Sequence, residues 1–131
     1  ELDEQAKNSS SKKRRKAINA STQEFIYATY MEAWRKKVER IGNLNYPDEA
    51  KNKKLQGSLM VHVAVRKDGS VEGIRVVRSS GHKVLDDAAV RIVKLAAPYA
   101  AFPPEIRKNV DVLDITRTWQ FLDGDRLFST E

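Results

Sequence analysis

Cysteine is absent from the 131 residues. That excludes disulfides, thiolate metal sites and cysteine nucleophiles, and it leaves the redox compartment open, because a cysteine-free chain suits oxidising and reducing surroundings alike. Histidine is scarce. Neither His62 nor His82 has a second His or a cluster of acids at metal-ligand spacing, so no metal site is expected. No apolar run approaches membrane-spanning length. The chain opens at Glu1 with no leader peptide, and is read as a piece of a longer protein whose targeting information lies elsewhere. Gly57, Gly69, Gly73 and Gly81 are too scattered to cradle a phosphate, and Ser79 and Ser80 lack the pattern of a nucleophile elbow. Asp86/Asp87 and Asp111/Asp114 are the carboxylate pairs that acid–base chemistry could use, yet helix-start and strand positions account for them. No catalytic residue, no cofactor and no enzyme follow.

What is present is a single modest core, 40% of the chain being apolar, and a basic balance of 24 Lys and Arg against 18 Asp and Glu, for a pI near 9.6. The excess is local. The run Lys12-Lys13-Arg14-Arg15-Lys16 stands in a segment whose apolar side chains are Leu2 and Ala6, so residues 1–16 are expected to be a flexible basic arm. Over 17–42, Ile18, Thr22, Phe25/Ile26, Thr29/Tyr30, Ala33/Trp34, Val38 and Ile41 recur at helical steps. Ser21 and Glu24 resemble a capping box, and Gly42-Asn43 is the expected stop. Trp34, Tyr30 and Phe25 share one face of that helix and are expected to pack, with contact to a second protein as the alternative.

Pro47 holds Tyr46 extended and permits a short helix from Asp48, with Ala50 and Leu55 inward. From Ser58 the chain alternates, with Leu59, Val61, Val63 and Val65 on one face, as a half-buried strand does. Lys67-Asp68-Gly69-Ser70 supplies a tight turn into a second strand, Val71 to about Arg78. Leu85, Ala88/Ala89, Ile92, Leu95/Ala96 and Tyr99 mark another helix, with Asp86 and Asp87 near its start and Pro98 at its end. AAFPPEIRKN reads as a loop, and Val110 to Leu122 as a long last strand with a bulge near Val112 and Leu113. Asp123-Gly124-Asp125 turns into a tail over 123–131, and the sequence does not decide whether its RLFSTE segment folds back over the last strand as a surrogate strand.

This order predicts an α+β two-layer sandwich, with helices on one face of a three-stranded antiparallel sheet. With the last strand paired to the first, the segment from Val110 to Leu122 is an edge, its backbone unpaired and its outward row Asp114, Thr116, Thr118 and Gln120 polar. Such an edge can accept an extended peptide.

Tyr46-Pro47-x-x-Ala50, Gly57 ahead of the valine-alternating strand, Asp68-Gly69, Ser79-Ser80-Gly81, Leu85-Asp86-Asp87-Ala88-Ala89 and Pro103-Pro104 occur in order on the corresponding elements. Together, over about Asn43 to Phe121, they resemble the TonB C-terminal domain family. Where that family's best-known transducers have glutamine-proline-glutamine before the Tyr-Pro pair, this chain has Asn43, Leu44 and Asn45. The resemblance implies the periplasmic domain of an energy transducer anchored in the Gram-negative inner membrane. It implies coupling to inner-membrane motor proteins through sequence upstream of Glu1, and binding of a TonB box-like peptide from an outer-membrane protein by strand addition. The partner-binding residues it implies are Asn43, Leu44, Asn45, Tyr46 and Pro47, with Val112, Leu113, Asp114, Ile115, Thr116, Arg117 and Thr118. Two other readings compete. One is a small basic nucleic-acid-binding domain, which the pI suggests but which lacks RNP segments and a GXXG loop, so no specific nucleic acid is expected. The other is a weak homodimer joined through the final strands.

Overall fold

A computed structural model describes residues 13–122 and 126–130, the latter by backbone and by the side chain of Leu127. The elements are β1 (Arg15–Asn19), α1 (Phe25–Leu44), α2 (Asp48–Asn52), β2 (Gly57–Arg66), β3 (Val71–Arg78), α3 (Lys83–Ala96), α4 (Pro104–Arg107), β4 (Val112–Leu122) and β5 (Arg126–Thr130).

The β2–β3 hairpin forms as its alternation predicts. Gly69 sits at φ +91°, a left-handed conformation that glycine adopts without strain, and a Cβ there would strike the backbone of Tyr99. Asp68 Oδ1 accepts from the Ser70 N–H at 2.9 Å and fixes the turn. β4 lies antiparallel to β2 in an unbroken register from Gly57↔Phe121 to Arg66↔Val112. The expected bulge near Val112 and Leu113 is therefore absent. The register shifts fall instead between β2 and β3, at Met60/Val61 and Ala64/Val65. The two phases read in the sequence have a simpler cause: Val110 precedes the strand and is buried in the core, while Val112, on the face opposite Ile115, is covered as well.

Helices back one face. Leu59, Val61, Val63, Ile115, Trp119 and Phe121 meet Tyr30, Trp34 and Val38 of α1 and Leu85, Ala89 and Ile92 of α3 in one core. Trp119 is fully buried, and side chains of this kind each contribute roughly 1.5–3 kcal/mol of burial. Tyr30 donates its hydroxyl to the Ala100 carbonyl at 2.6 Å, and Tyr99 donates to Val93 at 2.9 Å, so both phenols enter the core with partners. Asp86, inside the first turn of α3, accepts from Ser79 and Ser80 and ties the preceding loop to the helix.

Several expectations are corrected. The helix runs over Phe25–Leu44, not 17–42, because Ala17, Ile18 and Asn19 belong to a strand. No capping box forms: Ser21 donates to Asn19 Oδ1 at 2.6 Å and the Glu24 carboxylate meets Lys16. Phe25 is 81% exposed and lies off the stripe of Tyr27, Tyr30, Met31, Trp34 and Val38 that the helix buries. Residues 13–16 are not a free arm but a docked one; the rest of the arm and the turn Asp123-Gly124-Asp125 lie outside the described residues. The loop before β4 contains α4, and the tail after Leu122 contains β5. Among the described residues the sheet therefore has five strands, not three, in the order β1-β4-β2-β3 with β5 also on β4.

Candidate functional site: the outer flank of the last long strand

The expectation that matters most for function is that β4 is an edge, and it does not hold. One flank pairs with β2 and the other is divided between two short strands. β1 runs parallel to its first half, Arg15↔Val112 through Asn19↔Thr116. β5 runs antiparallel to its second half, Thr118↔Thr130 through Leu122↔Arg126. Arg117 is the one β4 residue between the two registers. A bare row of N–H and C=O groups is a liability, and here both ends of the chain cover it.

β1 is held by charge and by one apolar side chain. The Arg14 guanidinium contacts both oxygens of Asp111, at 3.2 and 3.1 Å, and donates through Nη1 to the Lys108 carbonyl at 2.7 Å. The Arg14 carbonyl accepts from the N–H groups of Asp111 at 2.7 Å and Val112 at 3.1 Å. Arg15 forks onto Asp114 at 3.0 and 2.8 Å and reaches Glu72 at 2.9 Å, which Lys13 also meets at 2.8 Å. His62 Nε2 lies 2.9 Å from the same Asp114. On the helix side, Lys16 stands 4.8 Å over the Tyr27 ring and pairs with Glu24, and Ile18 enters the core opposite Ile115. These cations hold the carboxylates charged. Arg15 and then Lys13 lower Glu72 to about 2, Arg14 holds Asp111 well below the usual carboxylate range, and Arg15 lowers Asp114 despite its partial burial.

β5 is held differently. Leu127 is buried against Gly42 of α1, and its N–H donates to Asn43 Oδ1 at 2.8 Å.

The residues expected to bind a partner fall into two places. Asn43 to Pro47 lie at the end of α1, beside the second half of β4: Asn43 holds β5, Leu44 is 75% exposed, Asn45 donates to the Ile41 carbonyl, and Pro47 precedes α2. Tyr46 is buried with its ring 5.5 Å from Phe121. Val112, Leu113, Asp114, Ile115 and Thr116 lie under β1, at the other half. Ile115 and Arg117 face the helices, while Asp114, Thr116 and Thr118 face the uncovered side of the sheet. Sequence reasoning missed Arg14, Arg15, Glu72 and Asp111 as parts of this flank, and left the fold-back of the segment holding Leu127 undecided. The available signal was the pairing of a basic run (KKRRK) with an acidic one (DVLD). Among the described residues no group of three or more His, Cys, Asp or Glu could hold a metal ion, and no helix is long and apolar enough to cross a membrane.

Helices on one face of a small mixed sheet, with a central strand flanked on its far side by two short strands, define a two-layer α+β domain. The chain belongs to the family described as Gram-negative bacterial TonB protein C-terminal, whose model matches residues 42–121. It is 32% identical over 85 residues to Protein TonB of Haemophilus influenzae, an alignment covering 65% of this chain and 31% of that protein. The fold is that of the TonB C-terminal domain of Helicobacter pylori solved by NMR, with a TM-score of 0.60 at 19% identity over 79% of this chain and 85% of that one.

Proposed function

We propose that this chain is the periplasmic domain of a TonB-type energy transducer anchored in the inner membrane. It receives an extended peptide of an outer-membrane transporter or surface machine by strand addition to β4, and passes on force derived from the proton-motive force through inner-membrane motor proteins. It acts as a binding module rather than an enzyme. The observation that supports this reading most is the make-up of β4's outer flank: two short strands of five residues each, β1 and β5, cover it in place of one continuous strand.

Addition then becomes exchange. A partner strand gains backbone hydrogen bonds at roughly 0.5–1.5 kcal/mol net each, but β1 or β5 gives up similar ones, and association itself costs several kcal/mol. Weak, reversible binding follows, as engagement, pulling and release require. The remaining terminal strand, β3, is a poorer acceptor, because it carries Arg75 and Arg78 and is twice out of register with β2. The basic run does not favour nucleic acid, since Lys13, Arg14, Arg15 and Lys16 each meet a carboxylate. A homodimer would need the same exchange between copies.

The test is a titration of isotope-labelled chain with a synthetic peptide from the periplasm-facing N-terminus of an outer-membrane transporter. The expected result is amide shifts over 112–118 and 43–47. Saturable shifts confined to other surfaces, or none, would contradict the reading.

A further inference from the structure

β1 is not generic padding for a bare edge, because nearly every one of its side chains has a fitted partner. Reading its seat residue by residue gives the chemistry of a strand that fits there. The seat's first position, filled by Arg14 just ahead of β1, contacts both oxygens of Asp111 and the carbonyl of Lys108 at the end of α4. The second forks onto Asp114 and reaches Glu72 across the uncovered face of the sheet. The third lies over the Tyr27 ring beside Glu24. The fifth is a buried aliphatic side chain against Ile115. The fourth, Ala17, is exposed and contributes little selection.

We propose that the first half of β4 is a sequence-selective binding seat for an extended strand running parallel to it, with two adjacent basic residues and an aliphatic residue three positions after the second of them, and that β1 occupies this seat as an internal ligand. The inference rests on the strand-addition reading above and adds the chemistry and direction of the strand that β4 takes. The reason is electrostatic and specific to this flank. When β1 leaves, Asp111, Asp114 and Glu72 lose three cations at once, and Lys67 at 3.4 Å from Asp111 and His62 beside Asp114 are the described neighbours left to face them. A neutral or acidic strand would leave those half-buried carboxylates unanswered, at a cost that a dibasic strand avoids. The aliphatic position adds register, because a slip by one residue would turn Ile18 out of the core and Ala17 into it.

The experiment uses the full chain with its own β1 repelled by Arg14→Glu and Arg15→Glu, a pair of changes outside the core that leaves Ile18 in place. Fluorescently labelled peptides are titrated at low salt: KRRKAIN, its charge-reversed form KEEKAIN, KRRKADN, and the outer-membrane transporter peptide. KRRKAIN is expected to bind at least tenfold more tightly than KEEKAIN or KRRKADN, with amide shifts at 112–116, and to bind the unmodified chain more weakly because β1 competes. A second chain, carrying Ile18→Asp alone, gives the same ranking if the seat is selective. Equal affinity for all four peptides at 112–116 overturns the selectivity and leaves strand addition standing. No shift at 112–116 with any peptide, in either folded variant, overturns both.

Discussion

β1 and β5 cover the same flank of one strand with opposite materials. β1 is held by ion pairs whose cations keep 32–52% of their side-chain surface in solvent, plus one buried isoleucine. The described hold on β5 is apolar and neutral: Leu127 against Gly42, and one hydrogen bond to Asn43. Exposed ion pairs contribute roughly 0–1 kcal/mol each and weaken with salt, whereas a buried leucine is insensitive to both salt and acid. The difference teaches which cover can be removed by solution conditions. β1 is a charge-latched cover whose one core side chain is Ile18, and β5 is part of the packing between α1 and the sheet.

The largest effect that separates the two is expected from truncating their buried anchors. Leu127→Ala should lower global stability by about 2–4 kcal/mol in denaturant unfolding. Ile18→Ala should lower it by less, about 1–2 kcal/mol, because local detachment of β1 limits the loss. Equal global losses would erase the distinction. Gly42→Ala comes next, since its methyl meets the end of Leu127; about 1–3 kcal/mol of overpacking is expected, with faster amide exchange over 126–130 and none over 15–19.

Acid acts on the other cover. Glu72 titrates at about 2 in the folded chain against an ordinary 4.5, and Asp111 and Asp114 are lowered as well. A lowered carboxylate contributes stability that is present above its unfolded value and is lost as pH falls through the folded one. Amide protection over 15–19 should therefore decay as pH falls from about 4.5 toward about 2, ahead of that over 126–130. Salt should give the smallest change. Raising it from about 0.05 to about 0.5 M, which shortens the screening length to a few ångströms, should speed exchange over 15–19 a few-fold and leave 126–130 alone.

How much of this was legible depended on how many neighbouring residues agreed. The β2–β3 hairpin and α3 were readable because alternation, turn chemistry and helical spacing each extend over many positions. β1 was not. Ile18 is its single fully buried residue, and with Thr22 it fits a helical step as well as a strand, so the apparent helix absorbed it. The basic run looked solvated because its partners, Asp111, Asp114 and Glu72, are distant in sequence and acquire meaning only through the β1–β4 and β2–β4 registers. For β5 the sequence offered no more than the question of a fold-back, because among its described side chains Leu127 is the one buried anchor. The family resemblance drew attention to β4, but no local pattern could say that the chain closes its outer flank.

The most direct measurement is a reversible lock on β1. Asn19 and Thr116 are register partners on adjacent strands, and the chain has no other cysteine, so Asn19→Cys with Thr116→Cys can form a single disulfide. The oxidised protein, folded by circular dichroism, should fail to bind the transporter peptide, and reduction should restore binding. Undiminished binding with the lock closed would contradict the claim that partners enter the flank that β1 vacates.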